Sequence, residues 1–178
     1  PGNPLGLRGT GRAGRPLATY AQYQLGMVLL AQGELDSAVV AFAAVADSPA
    51  EDALRMESLF RAAETYDRLG WYDASEKAYA RLREQFPESA YAERAAYGHA
   101  WSLFHANKYD AAENAATAFK TAYPGSDLTA GIRYLEANCK QQVKTYDAAL
   151  DLYRGISKDF PKSPFAPRAE QKACWVLY

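Results

Sequence analysis

The chain is poor in the residue types from which most catalytic and metal centres are built. It has two cysteines and two histidines in 178 residues. Cys139 and Cys174, 35 positions apart, form neither a CxxC pair nor a zinc-ligand spacing. They read as small helix residues, with a disulfide as the alternative, so the redox compartment stays open. His99 and His105, six apart on one predicted helix, project from different faces. No HExxH, GxSxG or Walker phrase occurs, and the GxGxxG match at Gly9–Gly14 has no strand before it. Pairs such as Glu76–Lys77 and Asp110–Glu113 read as solvated faces. The expectation is a chain that is not an enzyme, with no cofactor and no metal.

Charge of one sign is also missing. Twenty-one acids against twenty bases leave a net charge of −1. A nucleic-acid or anionic-membrane binder would carry a basic excess, so neither partner is expected. No apolar run approaches the roughly 18–20 residues that span a bilayer. The longest, Gly26–Ala31, is one face of a short helix, so no direct membrane insertion is expected. There is no initiator Met and no secretory leader, and the chain stops inside a helical pattern. A fragment of a longer protein is expected.

What is present is a repeat. Leu35-Asp36-Ser37-Ala38 is followed by Tyr72-Asp73-Ala74-Ser75, Tyr109-Asp110-Ala111-Ala112 and Tyr146-Asp147-Ala148-Ala149, each 37 residues after the last. A fixed period of this size marks a repeat architecture. Proline keeps nearly the same beat at 49, 87, 124 and 161. Three of these stand in one phrase: Phe86-Pro87-Glu88-Ser89, Tyr123-Pro124-Gly125-Ser126 and Phe160-Pro161-Lys162-Ser163. Proline ends one helix and biases the residue before it away from helical geometry. The serine is an N-cap candidate for the next. At the first junction Ser48-Pro49-Ala50-Glu51 reads as a capping box.

Short turns fall at Gln32-Gly33, Leu69-Gly70, Ala106-Asn107 and Val143-Lys144, where Gly or Asn suits a left-handed C-cap. First helices are therefore expected near 17–32, 49–69, 89–106, 126–143 and 163–178. Second helices are expected near 35–46, 72–85, 109–122 and 146–159. Apolar spacing is helical throughout, as in Tyr79, Leu82 and Phe86, and no strand is expected. Residues 1–16, with five Gly, three Pro and three Arg, read as a linker or tail. Residues 17–178 read as the repeat domain.

Small residues where paired helices cross, an aromatic later in the second helix and a proline at its end resemble the tetratricopeptide repeat. Leu25-Gly26, Ala38, Phe42 and Pro49 carry the likeness in the first repeat. Ala63, Tyr66, Gly70, Ser75, Tyr79 and Pro87 carry it in the second. Ala100, Asn107, Ala112, Phe119 and Pro124 follow in the third, where Ala116 replaces the expected aromatic. Ala137, Ala149, Tyr153 and Pro161 complete the fourth, and Cys174 takes the crossing position of a fifth, incomplete repeat. The resemblance implies an all-α, right-handed superhelix (an α-solenoid) of antiparallel helix pairs, about four and a half repeats long. The family's usual period is shorter. The lengthened Phe-Pro-x-Ser style is similar to repeats of bacterial envelope proteins, such as the outer-membrane assembly lipoprotein and the Tol–Pal coordinator. That implies a periplasmic or outer-membrane-associated location, with the cytoplasm as the alternative.

In such a fold the first helices line the concave face. One column there is Tyr23, Phe60, Tyr97 and Tyr134, spaced 37 apart. A turn on lie Met27, Glu64, Trp101, Asn138 and Trp175, and beyond them Leu30, Asp67, Phe104, Gln141 and Tyr178. The candidate partner-binding groove is Tyr23, Met27, Phe60, Tyr97, Trp101, Phe104, Tyr134, Asn138 and Trp175. Aromatic and Met side chains there supply adaptable apolar contact for a peptide or partner helix. The aromatic column argues against the carboxylate clamp of chaperone co-factors, which would place Lys and Asn there. The expected function is a non-catalytic protein–protein interaction scaffold. The alternative is an oligomerisation or regulatory segment of a larger protein, enzymatic or not. The apolar run Ala173–Leu177 on a last helix without a cap points to self-association through the C-terminal end.

Overall fold

The computed structural model describes residues 10–176, with side chains from Pro16 onward. Two compact units divide the chain, Pro1–Trp71 and Tyr72–Tyr178. The first contains α1 (Thr10–Gln32), α2 (Leu35–Ala46) and α3 (Asp52–Leu69). The second contains α4 (Tyr72–Gln85), α5 (Ala92–His105), α6 (Tyr109–Ala122), α7 (Thr129–Gln142), α8 (Tyr146–Asp159) and α9 (Ala166–Val176). Among the described residues there is no strand, and within each unit consecutive helices pack on one another.

All four second helices, α2, α4, α6 and α8, span the residues expected. Their boundaries are set by the tight turns before them and the prolines after them. Gly33, Gly70, Asn107 and Lys144 all take positive φ, between 61° and 82°. At each turn the next N–H reaches back five residues: Glu34 to Leu29, Trp71 to Tyr66, Lys108 to Leu103 and Thr145 to Lys140, each at 2.9 Å. This closes the otherwise unpaired carbonyls of the helix end. Lys144 holds the left-handed conformation despite its Cβ, because the same backbone bonds form around it.

The first helices depart from expectation at their starts. α5, α7 and α9 begin at 92, 129 and 166 rather than 89, 126 and 163. The serine carbonyls explain the delay. Ser89, Ser126 and Ser163 each accept from the N–H three residues on, which makes a tight turn before the helix proper. Ser126 and Ser163 Oγ accept from Leu128 and Phe165 N–H, so they cap that turn, and Ser89 Oγ finds no partner. The capping box at Ser48 is likewise absent. Ser48 Oγ donates to Val45 carbonyl, finishing α2, and α3 starts at Asp52. α1 starts at Thr10 instead of 17, and nothing in the composition of residues 10–16 favours that extension. The rest of the expected tail, residues 1–9, lies outside the described residues, as do Leu177 and Tyr178.

Close packing at the crossings comes from small residues. In the first unit the Phe42 ring lies on Gly26, where a Cβ would come within 2.7 Å of it. In the second, Ala100 and Ala112 share one core with Ala116 and Phe119. Ala137 and Ala149 share another core with Tyr153 and Ile156. Tyr79 packs so tightly on Gly98 that a Cβ there would meet its ring at 2.4 Å. The Ser75 and Ser102 hydroxyls pair at 3.0 Å in the same α4–α5 contact, and Ser102 donates to the Gly98 carbonyl.

The two histidines face different surroundings, as their spacing requires. His99 lies between Arg83, 3.4 Å from Nδ1, and Glu76, 4.0 Å from Nε2. Burial pushes its pKa down, Arg83 and Lys108 add to the effect, and Glu76 opposes it. Folding therefore favours the neutral ring. That contribution to stability is complete above the ordinary histidine value of 6.5 and is lost as pH falls from there through the folded pKa. Urea unfolding between pH 7.5 and 5.5 should show a steeper loss for the wild type than for His99→Gln. Equal slopes would remove His99 from the account.

Both cysteines are free thiols. Cys139 is interior, and burial, with Glu113 and Glu136 nearby, pushes its pKa up to about 12. Cys174 is exposed. A thiol reagent at pH 8 should label Cys174 in the native protein and Cys139 only after unfolding, since the thiolate is the reactive form. Two thiols reacting at one rate would contradict this placement.

Candidate functional site

Tyr97, Trp101, Phe104 and His105 stand at i, i+4, i+7 and i+8 on α5, which puts them on one helical stripe. None of the four is fully buried, and their rings touch in series. Tyr97 and Trp101 centroids are 6.2 Å apart, and Trp101 meets Phe104 edge-on at 5.8 Å. Trp101 also stacks on His105 at 5.7 Å, and His105 stacks on Tyr72 of α4 at 4.9 Å. Tyr109 of α6 closes on Phe104 at 5.6 Å. The stripe thus extends into an aromatic face of the second unit.

The face continues across α7. Gly131 leaves room for two rings: a Cβ there would come within 2.6 Å of the Tyr97 hydroxyl and 3.0 Å of Phe165. Phe165, just before α9, lies 5.4 Å from Tyr134. The Arg168 guanidinium sits 5.9 Å from the Phe165 centroid. Burial pushes the Tyr97 pKa up, and the Trp101 side chain first and the Arg168 charge second pull it partly back.

Of the expected groove residues, the structure brings together Tyr97, Trp101, Phe104 and Tyr134. Three others are interior. Tyr23, 7% exposed, packs on Phe42 at 5.8 Å and donates to Glu57 at 2.6 Å. Burial first, and that bond second, push its pKa up to about 12. Phe60 is 2% exposed. Asn138, 8% exposed, spends its amide internally, donating to the Tyr134 carbonyl and accepting from the Tyr153 hydroxyl at 2.9 Å. Tyr23 and Asn138 are held by these neighbours, and Phe60 is interior by its burial. Met27 is half-buried against the core of the first unit. Trp175 is 74% exposed and makes no ring contact among the described residues.

Sequence reasoning missed His105, Gly131, Phe165 and Arg168. His105 had a signal, four residues after Trp101. The other three had none, because the same register positions one repeat earlier hold Arg94, Leu128 and Gly131 itself. Among the described residues no cluster of His, Cys, Asp or Glu is placed to hold a metal, and no helix is long and apolar enough to cross a membrane.

The tetratricopeptide repeat model matches residues 20–49, 57–89 and 94–126. The chain belongs to the tetratricopeptide repeat family. Proteins of this architecture present extended binding surfaces built from stacked helix pairs. Solved structures agree on the fold. One is MamA (the RS-1 ArsTM double mutant), 15% identical, with TM-score 0.71 over 89% of this chain and 82% of that one. Another is a tetratricopeptide repeat protein from Parabacteroides merdae, 17% identical, with TM-score 0.75 over 93% and 61%. A third is apo RapI, 17% identical, with TM-score 0.73 over 89% and 62%. At these identities the likeness is one of fold alone. A search of curated protein sequences gives no significant match.

Proposed function

We propose that this tetratricopeptide repeat chain is a non-catalytic interaction scaffold whose second unit takes a peptide or partner helix on the aromatic face of α5. The supporting observation is the linked series Tyr72, His105, Trp101, Phe104 and Tyr109, in which large rings meet one another without being fully buried. Clustered rings of this kind offer large contact area at low entropic cost. Partner capture from source lysate tests the reading. A captured protein should be lost when Trp101 and Phe104 are replaced and retained when exposed Arg154 on α8 is replaced. Capture indifferent to both changes would place the working surface elsewhere.

The lengthened 37-residue period and its Phe-Pro-x-Ser phrase support a bacterial envelope setting, periplasmic or at the outer membrane, over the cytoplasmic alternative. Fractionation of the source cells decides between them. The exposed Trp175 favours a second reading, self-association through the C-terminal end, as in an oligomerisation segment. Light scattering over a concentration series, with Trp175→Ala as comparison, separates it from a monomer.

A further inference from the structure

Four cations of the second unit are matched to carboxylates: Lys108 to Asp73 and Glu76, Lys120 to Glu136, Arg133 to Asp159, and Lys140 to Glu113. Arg168 is in none of these pairs and stands at the aromatic face. It is exposed, no carboxylate lies within ion-pair distance among the described residues, and its guanidinium faces the Phe165 ring. Phe165 in turn stands over Gly131 beside the Tyr97 hydroxyl. The aromatic face is therefore bordered by an unmatched guanidinium and a phenol. The residues that form it, Tyr97, Trp101, Phe104, His105, Gly131, Tyr134 and Phe165, include no acid.

A guanidinium on an aromatic ring keeps its N–H fork free for a planar anion, and a carboxylate matches that fork. A basic segment would meet Arg168 with like charge and find no acid on the face to offset it. We propose, resting on the binding face described above, that its occupant is a segment carrying an acidic side chain close to an aromatic or aliphatic anchor. The carboxylate is taken by Arg168 with the Tyr97 hydroxyl, and the anchor by Trp101 and Phe104. Arg168 then sets specificity while the rings supply contact area.

The test uses the full chain and an array of randomised twelve-residue peptides. Wild-type protein should select peptides with Asp or Glu within about four positions of Trp, Phe, Tyr or Leu. Synthetic pairs of selected peptides, differing only in Glu against Gln, should differ about tenfold or more in affinity. Arg168→Gln should erase that difference while keeping the apolar selection, and Arg168→Glu should reverse it. Circular dichroism confirms that the variants remain helical, as expected for an exposed side chain. A selection without acidic preference, or a preference unchanged by Arg168→Gln, overturns the proposal and leaves the binding face intact. Selected peptides that bind equally after Trp101 and Phe104 are replaced, or no peptide bound at all, overturn the face itself.

Discussion

Replacing Trp101 and Phe104 together by alanine is expected to weaken partner binding about a hundredfold or more while the helices persist. Central aromatic anchors cost about 2 kcal/mol or more each when truncated, and each 1.4 kcal/mol is a factor of ten. The two rings meet edge-on, so their effects will not simply add. The cost to folding is smaller than the roughly 3–5 kcal/mol of a fully buried aromatic, since both rings are only partly buried. Titration calorimetry with a captured partner and a thermal melt by circular dichroism read the two effects separately. Unchanged affinity would move the working surface off α5. Collapse of the helices would make these rings core.

Tyr153→Ala should be among the most damaging single changes in the second unit, costing about 3–5 kcal/mol. The side chain is 0% exposed and packs between α7 and α9 with Ala137, Ala149 and Ala173. Its ring lies 5.7 Å from Tyr134, one of the residues of the binding face. The hydroxyl lies within hydrogen-bond reach of both Asn138 Oδ1 and Gln141 Oε1. The hydroxyl has one proton to give, so Tyr153→Phe keeps the ring and leaves one of those acceptors without its donor, which should cost about 1–3 kcal/mol. Urea unfolding followed at 222 nm gives both values. A Phe variant as stable as the wild type would mean the hydroxyl network is not formed. If Tyr153→Phe also weakens partner binding, Asn138 and Tyr134 transmit its loss to the face.

The local chemistry was legible in the sequence wherever one residue type meets one backbone demand. The turns at Gly33, Gly70, Asn107 and Lys144 follow from the 37-residue beat, and they fix the four second helices to the residue. The serines after the prolines were misread. A serine can cap a helix or a preceding tight turn, and the choice depends on backbone three residues ahead rather than on the serine.

The site was less legible. Tyr23, Tyr97 and Tyr134 occupy one register position in three repeats, and sequence periodicity treats them alike. Their environments differ. Tyr23 has Phe42 beneath it and Glu57 at its hydroxyl. Tyr97 meets Phe119 edge-on, and its hydroxyl lies over Gly131. Tyr134 lies between Tyr153 and Phe165. Asn138 looked like a groove amide until Tyr153 claimed it.

By itself the sequence determined the helix pairs, their period and their turns, because these depend on contacts within a few residues along the chain. Only the tertiary structure decided which of the repeated aromatics stay accessible and which cation borders them. Charge pairing between helices joins side chains 16 or more positions apart, and exposure depends on neighbours as distant, brought together only when helices pack on one another.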